Sequence, residues 1–579
     1  MRTRYTNLIA IVIFAALAWL AACGPSEGGE HNFETPPPDD DRPWVLVDLR
    51  HTEIQNPVDY RLHRDQFNYQ GTYGFHRLFE HLDTHDYPWM PTDEKLLDYR
   101  LEHFDILFIN LVHDRMPDFT NEEIQAIKDF VHDGGGLFVI GDHTNVYRHA
   151  ERINPFLMPM GIEMMYHTAV DHPPFNSVSG LGWIMSFDFS DHPINEGVEM
   201  ISFKTGGPVR SDDPDDDLVF TSEDSFADYW DESNERGFYG NWSQGDDEEL
   251  EPSGPLSIAS ATEYGDGRAV LVGDQNIFGD AWLHVGDNFE FALNAFEWLV
   301  GNEDTDEPLR NQPVKGHDIA FESDVNFYQT VRNDSRGDGY YYTYIESNRN
   351  EEVTARATTE LDTRNTDTLW FTSSDIDFGE EELDDRTYTD DDLEETARFL
   401  EEGGQVVISF EPSNIPPPTV QLLEKLTDDF AIEMGDETWQ PGDEEFPDPE
   451  QVDGFHDLVS AQLDVEEYGI GALPPHQLPN EETYEDEAES YDEDDFDLYL
   501  YDVRAHTGEA LLEAQLDDDH YATIAQRKTV GDGELIIFVQ DGFFRNRTMG
   551  TDELLRPRSF FRSDIVEFQH QFLDYLRGR

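Results

Sequence analysis

The chain has 579 residues, with 126 acidic and 37 basic side chains and a formal charge of −89 at pH 7. Such a charge repels phosphate backbones and excludes nucleic acid as a partner, while 38% hydrophobic and 13% aromatic residues exclude a merely disordered acidic chain. The acid is spread along the whole length, as expected of a solvated surface, either in high salt or gathering divalent cations.

Read from its start, the chain opens with the basic segment Met1-Arg2-Thr3-Arg4 and then an apolar run over 8–22, LIAIVIFAALAWLAA. The run falls short of the roughly 20 apolar residues that span a bilayer, so it predicts a signal peptide over 1–22. It ends in Leu20-Ala21-Ala22-Cys23-Gly24, which resembles the lipobox of bacterial lipoproteins. That resemblance implies cleavage before Cys23, lipid on its thiol, and a mature protein held by acyl chains on an envelope membrane, the outer rather than the inner. An ordinary secretory signal with a chance cysteine is the other reading. Cys23 is the sole cysteine, so no intrachain disulfide forms. Residues 23–43, rich in Gly, Pro and acid, read as the lipidated cysteine and a flexible tether.

Beyond the tether the elements alternate. A first strand is expected over 44–48 (WVLVD) and a helix over 72–82. Another strand lies in 104–113 (FDILFINLVH). Thr120 and Glu123, at capping-box spacing, then open a helix with Ile124, Ile127 and Val131 on one face. Gly134-Gly135-Gly136 stops that helix and LFVI follows. The same order returns from residue 367. DTLWFTSSD is followed by Thr389 and Asp392 opening a helix, then Gly403-Gly404, then VVIS. The closing units match as well, Gly265 to Asp274 and Gly531 to Asp541, each before a helix. This predicts a tandem duplication, 44–302 and 314–579, joined by the acidic linker 303–313. Two unrelated α/β domains sharing common turns would be the alternative. Strand–helix alternation predicts two mainly parallel sheets covered on both faces, with ligands at the carboxyl ends of the strands.

Several motifs carry a family resemblance: Asp48-Leu49-Arg50-His51, Asp105 to Phe108, Thr120 to Ile124, Gly135 to Asp142, His192 to Val198 and Gly267 to Asp274. Taken in order they resemble the class I glutamine-amidotransferase-like superfamily. The likeness is to its cysteine-less envelope branch, near ThuA-like proteins and auxiliary domains of gliding-type ABC transporters. The resemblance implies two tandem flavodoxin-like, doubly wound domains. The family's amidotransferases carry a cysteine on the turn after a central strand. Here that turn reads Gly141-Asp142-His143-Thr144 in the first copy and Phe410-Glu411-Pro412-Ser413 in the second, with no thiol. Thiolate chemistry is therefore excluded. The sequence also lacks a GxSxG elbow, HExxH, P-loop or GxGxxG motif.

The strand ends of the first copy gather Asp48, His51, His113, Asp142, His143 and Asp274. Carboxylate with imidazole in one cleft can bind a ligand or a divalent metal, or move protons. Each residue also has a structural reading: Asp48 and Asp274 as turn caps, Asp142 and Thr144 as caps of the next helix, His149 and His167 as hydrogen-bonded structural histidines, and His192 as the pin of a loop. The leading expectation is a non-catalytic envelope lipoprotein that binds a ligand, such as a glycan, or a partner protein. The alternative is a metal-dependent hydrolase with its site at the strand ends of the first copy. The second copy keeps the acids Glu411 and Asp541 but no imidazole matching His51 or His143.

Overall fold

A computed structural model describes residues 35–579 except 38–39, 53–73, 173–176, 178–180, 230–239, 303–315, 323–338, 351, 362, 373–386, 413–414, 435–436, 442–454, 458–461, 465–498, 518–519, 547–562 and 579. The signal peptide predicted over 1–22, Cys23 and the linker predicted over 303–313 lie outside the described residues. None of the helices in the described residues is long and apolar enough to cross a membrane.

Short apolar runs such as Val45–Asp48, Ile106–Ile109 and Gly136–Ile140 are buried on both faces. That is the signature of a strand inside a covered parallel sheet rather than at a solvated edge. They belong to an eight-stranded sheet. Its order is Trp89–Thr92, Val45–Asp48, Ile106–Ile109, Gly136–Ile140, Gly267–Val272, Ser257–Tyr264, Asp217–Phe220, Asp188–Phe189. The first five run parallel. The last three are added antiparallel.

A second eight-stranded sheet repeats that order. It runs Val353–Ala357, His317–Glu322, Thr368–Phe371, Gln405–Ser409, Gly533–Phe538, His520–Val530, Glu509–Asp517, Gln462–Asp464. Again five strands are parallel and three antiparallel. The α/β expectation thus stands. The antiparallel outer part of each sheet was not foreseen. Its cause is local: Tyr264 pairs with Gly267 across a two-residue turn with Gly265 at φ 68, and a tight hairpin can only join antiparallel strands.

The helices start and stop as their sequences dictate. Thr120 caps Asn121–His132 and Thr389 caps Asp390–Glu401, both with a full capping box. Each box satisfies backbone N–H groups that a helix start leaves orphaned, worth about 1 kcal/mol. Both helices end at a glycine with φ 113, Gly134 and Gly403, a backbone that L side chains rarely adopt. The helix expected over 72–82 is observed as His76–Thr84.

Residues Arg42–Arg579 form one compact unit. The two sheets meet through an apolar cluster in which Trp183, Met185, Met200, Trp282 and Val285 pack with Tyr340, Tyr341, Tyr342 and Ile345. Arg77 strengthens the junction, donating to the carbonyl of Val353 at 2.9 Å and to the Thr354 hydroxyl at 3.2 Å.

Candidate functional site

The strand Val45–Asp48 delivers Asp48 to its carboxyl end, where the chain turns back. The Arg50 amide donates to Asp48 Oδ1 at 3.0 Å, and His51 Nδ1 lies 2.8 Å from Asp48 Oδ2. On the other side His51 Nε2 stands 3.5 Å from Glu123 Oε1, and its ring stacks on Phe119 at 3.8 Å between centroids. Asp48, His51 and Glu123 are all buried. Glu123 is the capping-box acid. It accepts from the Thr120 amide at 2.9 Å and the Leu96 amide at 3.2 Å. Burial opposes charge on His51, but the Asp48 and Glu123 carboxylates outweigh it and hold the imidazole above its ordinary pKa. Burial likewise opposes charge on Glu123, and its bonds to His51 and Thr120 still bring it down to about 2. His51 thus bonds Asp48 and approaches Glu123, tying the first strand to the 121–132 helix.

His113 and His143 stand apart from that triad. The His113 amide donates to the His51 carbonyl at 2.8 Å. Its ring stacks on Tyr147 at 4.1 Å, and its Nδ1 accepts from the Arg115 amide at 3.1 Å. The His143 amide donates to Asp142 Oδ1 at 2.7 Å. Its ring reaches the Thr144 hydroxyl at 3.2 Å. The reading of Asp142 and Thr144 as caps of the next helix is corrected. Helix His149–Leu157 begins after Arg148, itself left-handed, with no side-chain cap. The turn is held instead by the Thr144 amide on the His167 carbonyl, at 2.8 Å. His149 is structural: buried, donating from Nδ1 to the Val146 carbonyl and accepting the Asp142 amide. Burial brings its pKa down to about 4.

Asp142 and Asp274 form the second group. Ile140 pairs with Val272 on adjacent parallel strands, and each acid lies two residues further on. Both are buried. The segment from Lys204 to Pro208 crosses above them. The Lys204 amide donates to Asp274 Oδ2, and the Asn276 amide donates to Oδ1 at 2.8 Å. A Cβ on Gly206 would come within 2.5 Å of the Asp274 Cβ, and one on Gly207 within 2.9 Å of the Asp142 carbonyl. Only glycine lets this crossing lie so close. Lys204 Nζ sits 4.6 Å from the ring centroids of both Trp183 and Trp282. Burial, and then the facing Asp274, push Asp142 well above the carboxylate range. Burial raises Asp274 to about 7, against the Lys204 and Asn276 amides and the Lys204 charge.

The six predicted residues therefore divide. Asp48 and His51 close on Glu123, Asp142 and Asp274 stand on adjacent strand ends with His143 beside Asp142, and His113 packs on Tyr147. Among the described residues no group of three or more His, Cys, Asp and Glu side chains could hold a metal ion. Sequence reasoning missed Glu123, whose box spacing concealed its second bond, and Lys204.

Register fixes the equivalents in the second sheet. Asp48 corresponds to Glu322, Asp142 to Glu411 and Asp274 to Gln540. Asp541, read from the sequence as the counterpart of Asp274, stands one place further on. Its carboxylate takes both Nε and a terminal nitrogen of Arg545 at 2.9 Å and the Tyr340 hydroxyl. Arg545 also lies 3.4 Å from Glu411, which accepts the Tyr501 hydroxyl. A buried guanidinium thus neutralises the acids here. The second half also carries a groove of about 630 Å³, lined by Asp429, Arg504, His506, Glu513 and Tyr521 among others. No sequence motif marks it.

No family model and no curated protein matches the chain. Solved structures do. The mmIFT52 N-terminal domain is 14% identical with a TM-score of 0.35, over 45% of this chain and 99% of that one. A putative ThuA-like protein from Bacteroides uniformis is 16% identical with a TM-score of 0.27, over 48% and 99%. A cold-adapted β-galactosidase from Rahnella sp. R3 is 12% identical with a TM-score of 0.23, over 45% and 33%. At these scores and identities the likenesses carry nothing about activity, substrate or partner. The α/β class rests on the sheets themselves.

Proposed function

We propose that the chain is a lipid-anchored protein of the bacterial envelope. Its halves are divergent copies of one doubly wound, flavodoxin-like unit of the amidotransferase-like superfamily. They bind a ligand rather than cleave one, with glycans and envelope proteins as the classes to test. The observation that carries this reading is the placement of the single cysteine. Cys23 stands at the end of the apolar leader, while the strand-end turns carry Asp142 and Glu411 where an amidotransferase carries its nucleophile. The binding site of this reading is the strand-end rim of the first half, which the buried Asp142 and Asp274 hold in place from beneath. The second half, with Gln540 and an arginine-neutralised Asp541, supports the fold.

Retention on an oligosaccharide array tests the glycan class directly. The full chain and its Glu411→Gln variant are expected to hold the same saccharides, and Asp274→Asn to lose them. Equal retention by Asp274→Asn removes the site, and no retention by the wild type removes the glycan class.

A further inference from the structure

We propose that the groove of the second half is a binding site for a zwitterionic ligand of the amino-acid or short-peptide class, with its carboxylate on Arg504 and its ammonium on Glu513. The site is separate from the rim of the first half and does not depend on it.

The groove forms where a strand leaves the large sheet. Val503–His506 pairs with Ala431–Met434 in a small three-stranded sheet. At Gly508, φ 64, the chain turns into Glu509–Asp517 of the large sheet, and a Cβ there would strike the Arg527 carbonyl. Side chains of the large sheet hold the departing strand. The Ala505 amide donates to the Thr523 hydroxyl at 3.1 Å, and the Thr507 amide to Gln526 Oε1 at 3.3 Å. Residues of both sheets line the groove, whose volume of about 630 Å³ lies within the range of small-molecule sites, about 300–1,000 Å³.

Its lining divides into engaged and open groups. Asp429 accepts from Lys528 Nζ at 2.6 Å and from the Thr507 hydroxyl at 2.9 Å, and His506 lies 3.2 Å from Glu433. Arg504 stands opposite Glu433 in register. Among the described residues the side chains of Arg504, Glu513 and Tyr521 make no hydrogen bond or ion pair. Gln526 is buried, and its Nε2 likewise has no acceptor among the described residues.

Thr523 brings the two open charges together. It pairs with Glu513 across the antiparallel strands Glu509–Asp517 and His520–Val530, and its hydroxyl holds the residue next to Arg504. Opposed side chains of such a pair share a face, about 5 Å apart. One cation and one anion therefore flank one threonine. A neutral ligand would strip water from both charges and pair neither. An anion alone would meet Glu513, and a cation alone would meet Arg504. A molecule that carries both charges answers both. Gln526 Nε2 adds a donor for its carboxylate, and Tyr521 a ring against which its side chain can pack.

Equilibrium dialysis of the full chain tests the site. The probes are a pool of tripeptides of mixed side chains and a pool of free amino acids, each unblocked, N-acetylated and C-amidated. An unblocked pool is expected to be retained, and which of the two it is assigns the size of the ligand. Blocking either end should weaken retention about tenfold, the loss of one charged contact. Arg504→Met should hold the unblocked pool only as weakly as the wild type holds the amidated one, with amidation costing nothing further. Glu513→Gln should behave in the same way toward acetylation. Both variants should melt as the wild type does, because neither side chain bonds within the described fold. If either fails to fold, the blocked pools on the wild type decide. No retention of either pool by the wild type, retention indifferent to blocking, or folded variants that bind as the wild type does overturn the proposal.

Discussion

Asp142 and Asp274 stand side by side beneath the Lys204 crossing, each two residues past a register-paired position, Ile140 and Val272, on neighbouring parallel strands. Burial holds both carboxyls above the ordinary carboxylate range, and the charge of Asp274 pushes Asp142 further up.

The pair therefore opposes folding as pH rises. The folded pKa of Asp142 lies above its unfolded value of 3.8. Its contribution is intact below pH 3.8 and is lost as pH climbs through the folded value. Asp142→Asn keeps an oxygen for the His143 amide and removes the charge. Its melting temperature should exceed that of the wild type at pH 8 and match it at pH 4. Thermal scans at the two values check this; equal curves at pH 8 would mean that Asp142 is ionised without cost.

His51→Ala should be strongly destabilising. It removes the imidazole between the buried acids Asp48 and Glu123, leaving them their backbone donors and Arg50 Nε at 3.8 Å from Glu123, a loss of about 3 kcal/mol. His143→Ala, whose ring reaches the Thr144 hydroxyl at 3.2 Å and lies 3.7 Å from Asp142, should cost less. Urea unfolding of both variants decides; a His51→Ala as stable as His143→Ala would show that the triad does not hold the strand to its helix.

How much of this could be read in the sequence follows from distance along the chain. The Thr120–Glu123 box is local, so spacing alone revealed it. Asp142 and Asp274 were found because each ends an apolar run, and the register of parallel strands then brings such ends together. The burial of His51 was not legible, because Phe119 and Glu123 close on it only after the sheet forms. Nor was the role of Lys204, which lies on a separate segment from Asp274. The match of Asp541 to Asp274 went one residue astray because residue type was followed where backbone register decides. The antiparallel strand Ser257–Tyr264 was marked in advance only by the turn Gly265-Asp266.

Arg545 supplies the corresponding test in the second half. Arg545→Met strands Asp541 and weakens the hold on Glu411, for a loss of about 3–5 kcal/mol. Adding Asp541→Asn removes the buried charge and should restore much of it. A double variant no more stable than Arg545→Met would show that the arginine acts by packing and not by neutralising the acid.

The −89 charge makes stability depend on salt. Molar salt shortens the Debye length to about 3 Å and screens repulsion across the surface. The melting temperature should climb from low to molar salt. A flat response would point to charges already compensated by bound cations.

Metabolic labelling with an alkyne-tagged fatty acid, in a bacterial host expressing the full chain, tests the central claim most directly. The wild type should carry label and lose residues 1–22, and Cys23→Ala should carry none and remain uncleaved. Equal labelling of the two, or none on the wild type, would contradict a lipid-anchored protein whose one thiol is spent on its anchor.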